Sequence, residues 1–464
     1  MTRKPQSRRH HGFSGSIGLA QTDITPPTGI YARNWGAATH DVADSIHLGL
    51  KVSVLTLAET SGGEPLILID ADLGWWRPFT KFQEFQQRLL GELGVPSERL
   101  IFALSHTHAA SPLMVPDPSL PGNDLLEEWL ESIFHAILKT IRDALESAAP
   151  AFLEWHKGRC QLAANRDLPD PDSDRILCGY NPEGNADETL LLGRISNPNG
   201  RLKGIVVNYA CHPTTLAWDN HAISPDFPGA MRQVVSETAG VPAFFLQGVS
   251  GELAPKYQYV GDTEVAERHG KQLAFAALAT LYDMNSPATE LVFSGAVESG
   301  APLAVWKEQP VEVATSLAAV TTSQELPLKD WPTADELDRD YRSCEDRALA
   351  ERLRRKRDIR RVLGDGSTFP LQVTAWRLGD AFLIGSCCES YSWIQQELRK
   401  QFADDPVVCL NLMNGSLGYL PPADLYEENL YQVWQTPFEK GGLERLFTGM
   451  VETLDQLLET SPST

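Results

Sequence analysis

The chain has 464 residues, of which 42% are hydrophobic and 22% charged, and its 35 glycines and 31 prolines are ordinary for a globular protein with many loops. The formal net charge of −21 repels phosphate backbones and anionic membrane surfaces, so nucleic acid is not an expected partner. No segment approaches the roughly 18 uninterrupted apolar residues of a membrane-spanning helix, and we expect no stable membrane insertion.

The beginning of the chain is basic and polar, and residues 1–14 are predicted to form a flexible tail. No apolar stretch of the kind found in secretory signals follows it. The seven cysteines are scattered, apart from the adjacent Cys387 and Cys388, which does not resemble a disulfide framework. These observations predict a cytoplasmic protein with free thiols, and they do not indicate an oligomeric state.

After the tail, short apolar runs alternate with amphipathic stretches whose apolar residues recur every three or four positions. The predicted strands are residues 65–69, 100–104, 204–210, 243–246, 381–385 and 407–412. The predicted helices are residues 125–145, 265–282 and 391–402. Turn residues at 197–200 and 378–380 each join two strands, which indicates a mixed rather than a purely parallel sheet. We therefore predict an α/β fold, a mixed layered sheet with flanking helices, in a single domain over residues 15–460.

Residues 302–366 are more highly charged than the rest, and we predict that they form a helical insertion packed on this domain. Six arginines lie close together in it, namely Arg352, Arg354, Arg355, Arg357, Arg360 and Arg361. Acidic residues between 335 and 346 precede them and can pair with them. A solvated helix face is the favoured interpretation of this run, and an anion-binding site is the alternative.

The segment Ser105-His106-Thr107-His108 follows directly on an apolar strand. If the strand continues, the two histidines share one face because alternate residues point the same way. Both imidazoles can then point at one ion, or one can bind the ion while the other serves the reaction beside it. The pattern therefore predicts a metal site or its immediate surroundings.

Two further strand ends carry residues of the same chemistry. His212 follows the strand at 204–210, and Glu389 follows the strand at 381–385 just before a helix. A hydrogen-bonded structural histidine and a carboxylate favoured by a helix dipole are the alternative interpretations. Two histidines and a carboxylate from separate strand ends would suit a catalytic zinc ion, which lowers the pKa of its water toward about 7 and polarises a carbonyl.

Several segments, in the same order over about residues 15–435, resemble the catalytic domain of the neutral, non-lysosomal ceramidases. They are Asp23-Ile24-Thr25-Pro26, Ser105-His106-Thr107-His108, Asn165-Arg166, Asn208-Tyr209-Ala210-Cys211-His212-Pro213-Thr214, Ile223-Ser224-Pro225-Asp226, residues 247–255, residues 385–389 and Gly418-Tyr419-Leu420. The resemblance implies a zinc-dependent hydrolase of an N-acyl amide bond, with a small-molecule or lipid-like N-acyl substrate.

The resemblance also implies roles for individual residues. The zinc ligands it implies are His106, His212, Glu389 and Tyr419. In addition, it assigns proton transfer to His108, and substrate orientation and oxyanion stabilisation to Arg166 and Tyr431. Spacing and composition alone would not have singled out Tyr419.

The chain departs from the family pattern at two places. Residues 251–256 read Gly-Glu-Leu-Ala-Pro-Lys, so that Ala254 stands where the family has a functionally important serine, although Ser250 offers a hydroxyl nearby. Residues 431–434 read Tyr-Gln-Val-Trp and lack the family's Tyr-Glu-Gly continuation. The pattern therefore indicates the reaction class better than the substrate, which is ceramide or another N-acyl compound.

Two other functions remain open from the sequence. A glycoside hydrolase needs two carboxyls across a sugar-sized cleft, and Glu252 and Glu389 are the strand-end glutamates available for that role. A non-catalytic relative that binds a ligand is the other alternative, suggested by Ala254. The pair Trp75-Trp76 is interpreted as buried core, with an aromatic wall for an apolar or sugar ligand as the alternative.

Overall fold

The computed structural model describes residues 8–459. Within this range the helices, numbered in chain order, are α1 Phe79–Leu93, α2 Asn123–Glu146, α3 Asp226–Ala239, α4 Thr263–Tyr282, α5 Ala334–Ser343, α6 Arg347–Leu363, α7 Trp393–Gln401, α8 Tyr431–Gln435 and α9 Gly442–Glu459. Short 3-10 helices are Ser97–Arg99 and Ala423–Leu425. None of the helices in the described range has both the length and the apolar composition needed to cross a membrane.

The strands of the described range are mostly short. In chain order they are β1 Arg8–Arg9, β2 His11–Asp23, β3 Ser45–Ile46, β4 Lys51–Ala58, β5 Leu66–Ala71, β6 Trp76–Arg77, β7 Leu100–Leu104, β8 Leu113–Met114, β9 Ala149–Arg159, β10 Ala163–Asn165, β11 Asp167–Pro169, β12 Arg175–Cys178, β13 Thr189–Ser196, β14 Leu202–Tyr209, β15 Ala222–Ile223, β16 Ala243–Gln247, β17 Leu253–Pro255, β18 Thr289–Glu298, β19 Pro302–Pro310, β20 Leu317–Pro327, β21 Thr368–Leu378, β22 Ala381–Ser386, β23 Glu389–Ser390, β24 Val407–Leu410, β25 Tyr419–Leu420 and β26 Asn429–Leu430.

Two mixed sheets form the centre of the fold. The larger has eight strands in the order β16-β14-β13-β9-β2-β4-β5-β7, with parallel pairs at both edges and antiparallel pairs between them. The smaller has the order β20-β21-β22-β24, and β22 and β24 are parallel. The predicted mixed α/β architecture is therefore confirmed.

The two sheets pack face to face. Alternate residues of a strand point to opposite sides, so one strand can contribute both to the core between the sheets and to the core under the helices. In β5, Leu66 and Leu68 join the core between the sheets, whereas Ile67 and Ile69 join the core under α1 and α2. The smaller sheet contributes Trp376 to the shared core. The result is a layered arrangement with helices outside both sheets.

The outer helices each cover one part of a sheet. Helices α3 and α4 pack their apolar residues on the β14 and β16 end of the larger sheet. Helices α7 and α9 cover the smaller sheet on the side away from the shared core. Burial of these apolar stripes accounts for the helical spacing that the sequence shows.

The predicted helical insertion at residues 302–366 is wrong in part. Residues 302–327 are largely extended, because β19 pairs with β18 and β20 pairs with β21 along eleven residues. Within the predicted insertion, the helices α5 and α6 lie at residues 334–363. High charge indicated a solvated segment but did not show whether its apolar residues recur with the spacing of a helix or of a strand. The β-branched residues of β20 favour a strand.

The predicted flexible tail is also shorter than expected. Residues 8–9 pair with β18, and β2 begins at His11 and pairs with β9. Phe13 is fully buried in the core between the sheets, and this burial holds the segment in place. Residues 1–7 lie outside the described residues, so the prediction stays untested there.

The carboxyl ends of strands from both sheets meet at one edge. The backbone N–H of Asn411, just after β24, donates to the carbonyl of Gln247 at the end of β16 over 3.1 Å. The N–H of Asn414 donates to Phe102 of β7 over 2.9 Å. Loops that leave these strand ends therefore place their side chains in a common region.

Candidate metal centre

His106 reaches the site through a turn rather than through a continued strand. β7 ends at Leu104, and His106 has the left-handed backbone angle φ of 67°. The expectation that His106 and His108 alternate on one strand face is therefore wrong, although their ring centroids lie 4.8 Å apart. A non-glycine residue in this conformation costs of order 1–3 kcal/mol, and such residues concentrate at functional sites.

Both buried histidines are held by the backbone. Nδ1 of His106 donates to the carbonyl of Gly74 over 3.1 Å, and Nδ1 of His212 donates to the carbonyl of Ser250 over 2.6 Å. Because a carbonyl can only accept, the hydrogen of each neutral ring lies on Nδ1. Each Nε2 therefore presents a lone pair to the site.

Glu389 stands between these two histidines. One carboxylate oxygen, Oε2, lies 3.3 Å from Nε2 of His106 and 2.9 Å from Nε2 of His212. Tyr419 is brought beside Glu389 because β23 and β25 pair in parallel with these two residues in register. The Tyr419 hydroxyl lies 3.5 Å from Nε2 of His212.

The electrostatics of this cluster suit a cation. Burial and the neighbouring charge of Arg166 lower the pKa of His212 to about 3, so the ring is neutral at pH 7. Burial alone would raise the pKa of Glu389, but His106 and His212 lower it well below its usual value. An ionised carboxylate thus faces histidine lone pairs, an arrangement of acceptors that a cation satisfies.

The donor set fits zinc. The possible ligand atoms of His106, His212 and Glu389 all lie within 4.8 Å of one another. Two imidazole nitrogens and a carboxylate oxygen are ligands of catalytic zinc, and a backbone carbonyl behind each histidine is the usual outer partner. The Tyr419 hydroxyl is close enough to this set to act as a fourth ligand.

The three residues expected around the reacting carbonyl also lie at this cluster. Nη2 of Arg166 donates to the Tyr419 hydroxyl over 3.2 Å and lies 3.3 Å from Nε2 of His212. Nε2 of His108 lies 3.4 Å from Nε2 of His106. The ring of Tyr431 is 5.6 Å from that of Tyr419. The fold therefore brings together all seven residues that the resemblance indicated.

A cavity opens onto the cluster. It is lined by His106, His108, Glu389, Tyr419 and Tyr431, together with residues of α6 and the segment 75–79. Trp75 lies in this wall, with its ring centroid 4.7 Å from that of His108, whereas Trp76 packs among core aromatic residues. Of the two interpretations of this pair, the aromatic wall therefore applies to Trp75, while Trp76 is largely core.

Two arginines of α6 were misassigned from the sequence. Arg357 and Arg361 pair with Asp338, as expected for a charged helix face. Arg354 and Arg355, however, line the cavity and are not on a solvated face. A usable signal was the spacing of Arg355, Ile359 and Val362, which puts these cavity-lining residues on one side of the helix.

Three residues in or beside the divergent segment 251–256 are held by the surrounding structure. Ala254 is buried in β17 opposite Ala164 of β10. The hydroxyl of Ser250 accepts a hydrogen bond from Gln247, while its carbonyl holds His212. The carboxylate of Glu252 accepts hydrogen bonds from the backbone N–H and the hydroxyl of Ser392, just before α7.

No protein-family model matches the chain. In sequence, the chain is similar to the neutral ceramidase of Pseudomonas aeruginosa, with 26% identity over 254 residues. This alignment covers 52% of the chain and 37% of that relative, so well under half of the relative's length is matched.

Two solved structures share the fold over 97% of the chain. A ceramidase solved in complex with C2 superposes with a TM-score of 0.66 and 17% identity over 77% of its own chain. The crystal structure of neutral ceramidase from Pseudomonas aeruginosa superposes with a TM-score of 0.65 and 19% identity over 76% of its chain. The sequence match and the shared fold point the same way: the chain is similar to neutral ceramidase in sequence over about half its length and shares the ceramidase fold.

Proposed function

We propose that the chain is a zinc-dependent hydrolase that cleaves the amide bond of an N-acyl compound. The observation that carries the proposal is the buried cluster of His106, His212 and Glu389, whose ligand atoms converge while both Nδ1 atoms are held by backbone carbonyls. The sequence similarity to neutral ceramidase supports an amide as the bond that is cleaved.

His106, His212, Glu389 and Tyr419 would hold the ion. Zinc supplies a Lewis acid that polarises a carbonyl and makes water nucleophilic near neutral pH. Glu389 contributes the negative charge that offsets the ion, and the two backbone carbonyls fix the ring orientations. A cavity wall beside these ligands leaves room for a substrate.

His108 is suited to proton transfer. It lies in the cavity wall, and burial together with His106 and His212 lowers its pKa well below the usual value. The ring is therefore neutral at pH 7 and can accept a proton from the attacking water and deliver it to the leaving amine. Arg166, with its guanidinium at the Tyr419 hydroxyl, and Tyr431 can donate hydrogen bonds to the developing oxyanion.

Glu252, the second carboxyl that the glycoside hydrolase alternative requires, does not face the cavity. Glu252 is occupied by the N–H and hydroxyl of Ser392. It is absent from the residues that line the cavity next to Glu389 in the described part of the chain. The geometry therefore favours one carboxylate acting as a ligand over a pair of catalytic carboxyls.

The proposal is tested by measuring zinc content together with hydrolysis of a panel of N-acyl amides that includes a ceramide. We expect about one zinc per chain, and loss of both zinc and hydrolysis in His212→Ala. His135→Ala is the matched control, since His135 is an exposed helix residue that pairs with Glu131. Hydrolysis that persists after zinc has been removed would contradict the proposal, as would equal losses in the two variants.

A further inference from the structure

The cavity beside the metal centre carries more positive charge than amide hydrolysis requires. Arg77, Arg354 and Arg355 line it together with His106 and Glu389. A neutral amide such as ceramide offers no charge to complement three guanidinium groups. The charge therefore bears on the chemical class of the substrate.

Arg77 is a buried cation with unused hydrogen-bond donors. The residue is 7% exposed, and its Nη2 donates to the side chain of Asn34 over 2.6 Å. Nε and Nη1 are buried and have no hydrogen-bond partner in the described part of the chain. The guanidinium carbon lies 4.1 Å from the ring centroid of Trp75, so the group rests against an aromatic ring of the cavity wall. Unsatisfied buried donors of this kind cost free energy unless a ligand accepts from them.

Arg354 and Arg355 share a single carboxylate. Arg354 makes a bidentate contact with Glu351 through Nη2 at 2.8 Å, and Nε of Arg355 donates to the same carboxylate over 2.9 Å. Asp358 also lines the cavity, but it pairs with Arg357 at 2.8 Å. Glu351 thus faces two guanidinium groups directly, and Arg77 adds a third positive charge nearby.

This positive region adjoins the reacting centre. Nη1 of Arg355 lies 3.4 Å from the hydroxyl of Tyr431, and its guanidinium carbon lies 5.3 Å from the centroid of Trp75. Trp75 in turn contacts the rings of His106 and His108. A substrate with its amide at the metal centre would place groups only a few bonds away beside the arginines.

We propose that the substrate is an acidic N-acyl compound, such as an N-acylated amino acid, whose anionic group binds the arginines of this cavity. The inference rests on the proposed function and specifies its substrate class. A carboxylate accepts from the planar donors of arginine in a bidentate manner, and such charge-assisted hydrogen bonds are about twice as strong as neutral ones. A sulfonate or phosphate would use the same donors.

A second cavity offers a place for the acyl chain. It shares His108, Arg355, Tyr419 and Tyr431 with the first and continues along the aromatic rings of Trp35, Trp218 and Tyr259. These rings pack together, with centroids 5.7–6.0 Å apart. An acyl chain along this wall and an anionic group at the arginines would together span the metal centre.

The test compares N-acyl compounds whose head groups differ in charge or in the type of anion. N-dodecanoylglycine, N-dodecanoylglycinamide and N-dodecanoyltaurine are offered to the zinc-loaded protein, and kcat/KM is measured from release of the amine. We expect N-dodecanoylglycine to exceed N-dodecanoylglycinamide by at least about tenfold, the size of one charge-assisted hydrogen bond. Equal use of the taurine compound would indicate recognition of any anion, and its rejection would indicate recognition of a carboxylate.

Substitutions of single arginines test which side chains cause the preference for the acidic compound. Arg354→Gln should reduce the ratio between the glycine and glycinamide compounds toward one, and Arg77→Gln should do the same independently if the first variant does not fold. Arg361→Gln is the matched control, because Arg361 lies on the same helix and pairs with Asp338. Equal kcat/KM values for the two compounds in the unaltered protein would overturn the inference, as would a ratio that Arg354→Gln and Arg77→Gln leave unchanged.

A failure of the proposed function is recognised separately. It would appear as no hydrolysis of any of the compounds, ceramide included. Equilibrium binding of N-dodecanoylglycine and N-dodecanoylglycinamide then decides the inference without catalysis. Binding of the acid at least about tenfold tighter than the amide, and loss of this difference in Arg354→Gln or Arg77→Gln, would support it. Equal binding would overturn it.

Discussion

Strand ends and the helix α6 both line the cavity, but they are encoded in the sequence in different ways. His106, His212 and Glu389 follow apolar strands, so their meeting is a consequence of sheet topology. Arg354 and Arg355 belong to a charged helix whose cavity face is set by its contacts with the loop around Asn34. The comparison teaches that residues at the ends of buried strands are recognisable as a site from sequence, while charges on an inserted helix are not.

The largest effect is expected at the strand ends, from removing the charge of Glu389. Glu389→Gln keeps the shape of the side chain but removes the negative charge that faces His106 and His212. We expect zinc content to fall from about one per chain to near zero and hydrolysis to fall by at least about 100-fold, because loss of a ligand should cost no less than loss of a group that only orients a ligand. Metal analysis and kcat/KM measure the two effects.

Glu252→Gln is the matched control for this change. Burial raises the pKa of Glu252 to about 7, so the carboxyl is already partly protonated at neutral pH, and an amide oxygen can still accept from Ser392. Zinc content should stay near one per chain. If Glu252→Gln abolished activity and Glu389→Gln did not, Glu389 would not be a metal ligand. The contrast between metal ligands at the strand ends and substrate-binding arginines on α6 would then no longer hold.

A moderate effect is expected at the helix, from neutralising Glu351. Burial by itself would raise the pKa of Glu351, but the charges of Arg355 and Arg354 lower it by more, so the pKa lies below the ordinary value. A carboxylate with a depressed folded-state pKa stabilises the fold above the unfolded-state pKa of about 4.3, and this contribution is lost as pH falls. Glu351→Gln should therefore lower the free energy of unfolding at pH 7 by of order 2 kcal/mol and less at acid pH.

Denaturant unfolding at pH 7 and at pH 3 measures this difference. Glu131→Gln is the control, because Glu131 pairs with Arg88 on the surface, where about half of each side chain is exposed. The same variant sharpens the substrate inference, since Arg354 and Arg355 lose their carboxylate and should bind an acidic N-acyl compound more tightly. Weaker binding of that compound by Glu351→Gln would mean that Glu351 positions the arginines and does not compete for them.

The contrast between the strand ends and α6 also explains which parts of the structure could be predicted from the sequence. The strands at 65–69, 100–104 and 243–246 were recognisable because burial on both faces demands continuous apolar runs. The turn at His106 was not, since its left-handed backbone depends on tertiary hydrogen bonds to Leu73 and Gly74. Tyr419 carries no local signal, because its place is set by pairing with the distant strand of Glu389.

The helix was less predictable for a physical reason. Charge patterning identifies a face that can be solvated, but an arginine stem also packs on aromatic rings and buries its apolar part. Arg355 is held by the carbonyl of Asn34 and the hydroxyl of Tyr431, which come from segments far away in the chain. A pattern within the helix cannot report such contacts. Its hydrophobic positions, Ile359 and Val362, are the residues that mark the cavity face.

The smallest effect is expected where the helix begins, because α6 depends on a local cap. The side chain of Asp346 accepts a hydrogen bond from the N–H of Leu349 over 2.8 Å, and Asp346→Ala should cost about 1 kcal/mol of stability. The beginning of α6 is also tied to the loop that contains Asp41, by the ion pair of Arg347 and Asp41 at 2.6 Å. We therefore expect zinc content to be unchanged and the preference for an acidic substrate to fall slightly, because Arg354 and Arg355 lose order while the strand-end ligands do not.

Thr333→Ala, which removes the cap of the neighbouring α5, is the control for general loss of a cap. Loss of zinc in Asp346→Ala would show that the helix supports the metal ligands as well, and that the two walls of the cavity are one cooperative unit.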